Sequence, residues 1–293
     1  MSDSETTTTA AGGEGALVAV IDTEGFDLTN PEIGDQVDDY RDFTGRGIGN
    51  GTTGQHGTGT AEIVADTAPG AEIVPVRVDS FVQWQNAVDY VREETDTDVV
   101  VMSLSWYGVG PLDGTSEMNR EISRLRDDGV LWVNSAGNQA DGNHWNGTWN
   151  DPDGDDWLEF SGDDETLTLT GGSAANVWVN WDDWTRQTDD YDIYVYDDSG
   201  NLIGGSTNAQ DGASAPPVEI YTDSGLPSTI HLKIERVGAS GDTEFDIWFR
   251  GNYEPEYWTA QRSLTNPGVG PDVTDERLPA IPSRRRRASQ AKA

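Results

Sequence analysis

Asp22 closes an apolar run in VAVIDTEGFD, and His56 stands 34 positions later in GQHGTGTAEIVAD. Ser103 and Ser105 end VVVMSLSW, and Asn138 follows another apolar run in VNSAGNQ. A carboxylate, an imidazole, hydroxyls and an amide are side chains able to accept, relay and donate protons. Taken singly, each has an ordinary explanation: a cap at a strand end, a surface histidine in a Gly-rich loop, a common A-G-N turn. What separates them from those explanations is that all stand where an apolar run ends or a helix opens.

The elements that must position them follow from hydrophobic patterning. ALVAVID (16–22), AEIVPVRV (71–78), DVVVMSL (98–104) and GVLWVNS (129–135) are nearly continuous apolar runs, as expected of strands buried on both faces of a parallel sheet. Between them, Phe81, Trp84, Val88 and Val91 recur at helical spacing after Asp79 and Ser80. Met118, Ile122 and Leu125 do so ahead of Asp127, Asp128 and Gly129. Strands alternating with helices predict βαβ units with helices on the sheet faces. In such folds chemistry sits at the carboxyl ends of the strands, where these residues lie.

With those residues placed, residues 16–140 resemble the subtilisin family of serine endopeptidases. The order is the family's: an aspartate after V-A-V-I-D, an H-G-T histidine, an M-S-L strand, then an A-G-N asparagine. The resemblance implies that His56 is general base and then general acid, that Asp22 holds its tautomer, and that Asn138 donates to the developing oxyanion. It also implies that Ser103, Leu104 and Ser105 pair with substrate backbone. Three positions depart from the family: D-[ST]-G is D-T-E-G with Glu24 inserted, the second histidine of H-G-T-H is Gly59, and S-L-G-G is S-L-S-W with Trp106 near the expected cleft.

No family nucleophile, G-T-S-[MA]-A before a helix, can be placed after Asn138. Gly114-Thr115-Ser116 precedes Asn138, and Ser116 reads as a helix N-cap with Glu117 in the first turn. Ser173 in GGSAANVWVNW follows Asn138, but the alternation after it is that of a strand. Both are therefore decoys, and the chain is expected to be truncated before its serine and poorly active or inactive.

From about 155 to 251 the pattern changes to short alternating strands, DWLEF, TLTLT, NVWVNW, DYDIYVYDDSGNLIG, PVEIYT, TIHLKIERV and TEFDIWF, separated by Gly, Asp, Asn, Ser and Pro. That spacing predicts a β-sandwich or jelly roll, similar to the pre-peptidase-type β-domains attached to proteases. Asp190, Asp192 and Asp197, with Asp189 and Asp198, could offer calcium oxygens, although solvated carboxylates are the plainer reading. SLTNPGVGPDVT (263–274) resembles the family's return to its core. The expected class is thus α/β: a subtilisin-like parallel sheet with helices on both faces, incomplete, carrying an inserted all-β module. The expected spans are a flexible 1–15, subtilisin-like 16–146, β-module 147–255, return 256–274 and a basic tail 275–293.

Charge patterning sets the wider limits. The chain carries 53 acidic and 18 basic side chains, net −35, a balance that suits an extreme halophile of haloarchaeal type. Residues 1–274 hold 12 basic and 51 acidic groups, net −39, whereas 275–293 hold 6 and 2, net +4. The tail 275–293, which holds Arg284 to Arg287, begins where the resemblance stops, so it reads as non-native and frame-shifted. The −39 remainder argues against a nucleic-acid partner. Without Cys, any metal would be held by oxygen; no cofactor is required and calcium is the open option. No basic-then-apolar secretory signal and no span of about 20 apolar residues occurs. The resemblance nevertheless implies a secreted or cell-surface protein, expected to be a monomer acting on polypeptide. The alternative is a non-catalytic protein whose β-module binds calcium, glycan or a surface polymer.

Overall fold

The first strand, β1 (Leu17–Asp22), consists of Leu, Val, Ala and Ile up to its terminal aspartate, and five of its six residues are buried. In the computed structural model, which describes residues 12–49, 55–212 and 215–273, it is the centre of a parallel sheet. The other members are β2 (Arg41–Asp42), β3 (Glu72–Arg77), β4 (Val99–Met102) and β5 (Leu131–Asn134), in the order β2-β3-β1-β4-β5. Val18 registers with Ile73 on one side and Val99 on the other. Helices α1 (Gln55–Thr67), α2 (Phe81–Glu94) and α3 (Glu117–Asp127) supply the alternation the patterning predicts.

Strand pleating sends alternate β1 residues to opposite faces. Val18 and Val20 pack with Ile73, Ala61 and Ala65 of α1, and with Phe26 and Ile33. Ala19 and Ile21, facing the other way, are equally buried. The stripe Trp84, Ala87, Val88 and Val91 of α2 is wholly buried, and Trp84 packs edge-on against Trp132 of β5 with ring centroids 5.8 Å apart. Each such large apolar side chain contributes about 1.5–3 kcal/mol on burial. Ser80 caps α2 by accepting from the Gln83 backbone N–H at 3.3 Å. Among the described residues these elements form one compact unit comprising those up to Leu104, Glu117–Ser135 and 270–273.

The second unit, Ser105–Ser116 with Ala136–Val269, is all β. Its strands are β6 (His144–Thr148), β7 (Leu167–Thr170), β8 (Ala174–Trp181), β9 (Asp190–Asp197), β10 (Leu202–Ser206), β11 (Val218–Ser224), β12 (Thr229–Gly238), β13 (Glu244–Phe249) and β14 (Glu254–Pro255). They make two antiparallel sheets, β10-β9-β12-β7-β14 and β11-β8-β13-β6. Val177, Val179 and Trp181 of β8 share one core with Ile193 and Val195 of β9 and with Ile230, Leu232 and Ile234 of β12, so the sheets pack face to face. Tyr191 sits among Trp149, Trp181 and Phe245 and donates to Thr243 Oγ1 at 2.8 Å; burial pushes its hydroxyl up to about 12.

Several boundaries move. The β-rich unit is wider than 147–255, because β6 begins at His144 and pairs with β13. Residues 256–269 join it as well, so the return to the α/β unit comes at Gly270. DWLEF is not a ladder strand: Trp157 makes a single bridge to Glu235, and Leu158 and Phe160 turn into the core. Within the span expected to be flexible, Gly12 is tied by its carbonyl to the Gly70 N–H at 2.6 Å. The remainder of that segment, 1–11, and the basic tail with Arg284–Arg287 lie outside the described residues. Among the described residues no helix is long and apolar enough to cross a membrane.

Candidate active site

Asp22 is the last residue of β1, fully buried, at the carboxyl edge of the sheet. Its Oδ2 lies 2.6 Å from Nδ1 of His56, the second residue of α1. The helix comes this close because residue 57 is glycine: a Cβ there would sit 2.3 Å from the Gly25 carbonyl oxygen and 3.0 Å from Cβ of Asp22. Gly25 turns the chain after β1 at a φ of +94°, which a side chain disfavours, and it has Ile48 O at 2.3 Å from where a Cβ would lie.

The His56 side chain is 45% exposed while that of Asp22 is 0% exposed. A buried carboxylate bonded to one ring nitrogen of a half-open imidazole fixes the ring's orientation and favours the proton on Nδ1, which leaves Nε2 as the basic atom. The chain has three histidines. His144 is fully buried, with Nε2 on Asp246 Oδ1 and Nδ1 on the Thr259 carbonyl, both at 3.0 Å. His231 uses Nε2 on Asp198 and Nδ1 on Thr168. His56 alone keeps a ring nitrogen without a hydrogen-bond partner among the described residues.

Ser103 and Leu104 run on from the end of β4, and the Leu104 carbonyl accepts from the Asn134 side-chain amide at 3.0 Å. In the β-rich unit, Ser105 is half-buried and Asn138 is exposed in the loop after β5. No hydrogen bond to the Asn138 amide is made among the described residues of its unit. Trp106 donates its backbone N–H to Asn266 O at 2.8 Å. Ser116 is 1% exposed and immediately precedes α3. Ser173 is exposed in the turn that leads into β8, its backbone N–H on Asn252 Oδ1 at 2.9 Å.

The family model of the Subtilase family, peptidase S8, matches residues 13–210. The chain belongs to the Subtilase family. Among solved structures, the subtilase is similar to the CspB protease of Clostridium perfringens, with a TM-score of 0.55 and 14% identity over 90% of this chain and 69% of that one; this likeness is one of fold. A pre-peptidase C-terminal domain of a Bacillus anthracis collagenase also matches, at a TM-score of 0.25 and 12% identity over 37% of this chain and 89% of that domain.

Glu24, read from the sequence only as an inserted residue, has a defined place in this subtilase. Its backbone N–H donates to Asp22 Oδ1 at 2.8 Å, and its Oε2 accepts from the His56 backbone N–H at 3.3 Å. It thus steadies the carboxylate on one side and one of the first free N–H groups of α1 on the other. No local signal pointed to this contact, because His56 lies 32 positions further along the chain.

The carboxylates proposed from sequence for calcium do not gather. Asp190 accepts from Gln210, Asp192 from Tyr194, and Asp197 from Ser199 and Asn201 at a turn. Among the described residues the carboxylate groups that do converge are Asp151, Asp153 and Glu159, and Asp153, Asp155 and Glu165.

Proposed function

We propose that this subtilase carries the acid–base half of a serine endopeptidase, with His56 as general base and then general acid, Asp22 as its orienting carboxylate and Asn138 as oxyanion donor. The observation that supports it best is the unpartnered second nitrogen of a histidine whose first nitrogen is held by a buried aspartate. In that chemistry a serine hydroxyl passes its proton to Nε2 while its oxygen attacks the peptide carbonyl. The imidazolium then protonates the leaving amine, and water repeats the cycle on the acyl-enzyme. Backbone groups from Ser103 to Ser105 form the edge on which an extended polypeptide pairs.

The nucleophile is the missing part of this reading. Among the described residues of its own unit, no serine hydroxyl bonds to His56. Ser116 is buried at the start of α3, and Ser173 lies in a turn followed by a strand. The chain by itself is therefore poorly active, lower by about 10⁶ in kcat than a complete subtilase. The chemistry requires no cofactor, and the chain is a monomer in this reading. Its place of work is outside the cell or on its surface, as the family resemblance implies, with the β-rich unit an inserted sandwich module and the acidic surface suited to high salt.

The test is to treat the full chain with a fluorogenic peptide and a serine-directed phosphonate, then map the label by mass spectrometry. The expected result is no labelled serine, and hydrolysis near background that is the same in H56A as in the parent, because a general base without a nucleophile to serve adds nothing. Stoichiometric labelling of Ser116 or Ser173, or substantial hydrolysis that falls in H56A, would overturn the reading.

A further inference from the structure

The segment DPDGDDWLEF (151–160) folds back on itself between β6 and β7. Both Asp151 oxygens are engaged: Oδ1 accepts the backbone N–H groups of Gly154 at 2.7 Å and Asp155 at 3.1 Å, and Oδ2 accepts that of Asp156 at 3.2 Å and Arg236 Nη2 at 3.1 Å. The side chain of Asp151 is only 2% exposed. Glu159 is 5% exposed as a residue, and its Oε2 has no hydrogen-bond partner among the described residues. Each of Asp151, Asp153 and Glu159 places a carboxylate oxygen within 4.8 Å of the other two. Two buried carboxylates and a third at the surface therefore meet, with Arg236 as the contacting cation.

Such an arrangement is unfavourable for the bare protein. An ionised carboxylate nine-tenths removed from water, with one of its oxygens lacking a partner among the described residues, should neutralise or hold a cation. Burial, then the charges of Asp151, Asp153 and Glu165, raise the Glu159 carboxyl above its usual range. The geometry favours the cation over the proton. Calcium binds carboxylate oxygens at about 2.3–2.6 Å, so two of its ligands can stand up to roughly 4.8 Å apart, the limit within which all three oxygens fall.

We propose that Asp151, Asp153 and Glu159 hold one calcium ion that clips the Asp151–Asp156 loop to the segment entering the core at Leu158. The ligands are all oxygen, as suits a hard cation, and an exposed Asp153 beside two buried carboxylates suits calcium's loose coordination better than the strict octahedron of magnesium. The overlapping group Asp153, Asp155 and Glu165 is not the site, because Glu159 Oε2, the buried oxygen without a partner among the described residues, belongs to the first group alone.

The test is calorimetric titration of the chelator-treated full chain with CaCl2, with Tm followed in parallel, at one high fixed ionic strength so that screening of the net −35 does not change. One saturable isotherm is expected, with a Kd of about 10⁻⁴–10⁻³ M, the class of extracellular modules, and a rise in Tm. E159Q and D153N should each weaken binding at least about tenfold, while D190N binds as the parent does. In chelator, E159Q should melt at or above the parent, because it removes the buried unpartnered charge; D153N, at an exposed position, covers the case in which E159Q misfolds. The site is refuted by no saturable heat into the tens of millimolar, by parental affinity in E159Q and D153N, or by MgCl2 producing the same rise as CaCl2 in the parent and D190N alike. A Tm that climbs on acidification in chelator but ignores calcium would show that Glu159 simply carries a proton, and would refute it equally.

Discussion

Two histidine–aspartate pairs, one in each unit, use the same side chains for opposite ends. His56 meets Asp22 at 2.6 Å with the aspartate wholly buried and the imidazole nearly half exposed. His144 meets Asp246 at 3.0 Å with both side chains buried and both ring nitrogens engaged. The first pair is anchored at one end and open at the other. The second is closed, joining β6 to β13 and, through Thr259, to the segment that follows β14. The pair alone therefore does not make a candidate for proton transfer; an oriented ring with one nitrogen left over does.

The contrast predicts a large stability effect in one unit and almost none in the other. H144A should destabilise the fold by about 3–5 kcal/mol, since it empties a fully buried ring site and removes two hydrogen bonds, although Asp246 keeps Asn146 and the Arg262 guanidinium; urea unfolding followed by tryptophan fluorescence measures it. A result under about 1 kcal/mol would show the closed pair to be dispensable and would erase the contrast.

A second effect belongs to the same β-rich unit. Asp183 closes the turn after β8, accepting the backbone N–H groups of Thr188 at 2.6 Å and Asp189 at 2.8 Å and the Arg186 guanidinium at 3.0 Å. Burial pushes its carboxyl up, but these hydrogen bonds and the Arg186 charge outweigh it and hold the group below the usual range. Its stabilisation is therefore present above the unfolded value near pH 4 and is lost as pH falls through the lower folded value. D183N should cost about 1–3 kcal/mol at pH 7 and flatten the acid limb of a Tm-against-pH curve. An unchanged acid limb would mean that other carboxylates carry the acid sensitivity.

At the open pair the effects shrink. E24Q removes the charge set against the first turn of α1 and should cost about 0.3–1 kcal/mol, less at high salt; a salt-independent loss would point to the Asp22 contact instead. H56A should alter stability by no more than about 0.5 kcal/mol. A destabilisation as large as that of H144A would place His56 in the same structural class and remove the distinction.

How much of this was legible follows from range. β1, β3, β4 and β5 read directly from apolar runs, because a strand covered on both faces needs nothing but apolar residues. Asp22 and His56 read from local motifs, V-A-V-I-D and H-G-T, since each motif builds its own turn. His144 carried no motif: its partners are 102 and 115 residues away, and only strand pairing brings them together. Asp190, Asp192 and Asp197 of DYDIYVYDDSG each take hydrogen bonds of their own, and among the described residues they do not converge in one group. DPDGDD converges with Glu159 only once Leu158 and Phe160 turn inward.

What the amino-acid order determined alone is the alternation of elements, the residue types at the carboxyl ends of the strands, and membership of the Subtilase family, all properties of local pattern. What tertiary structure decided is which imidazole keeps a free nitrogen, which carboxylates are buried together, and that Glu24 spans Asp22 and the first turn of α1. Those depend on distances between segments remote in the chain, and burial and hydrogen-bond supply are set only when the segments pack.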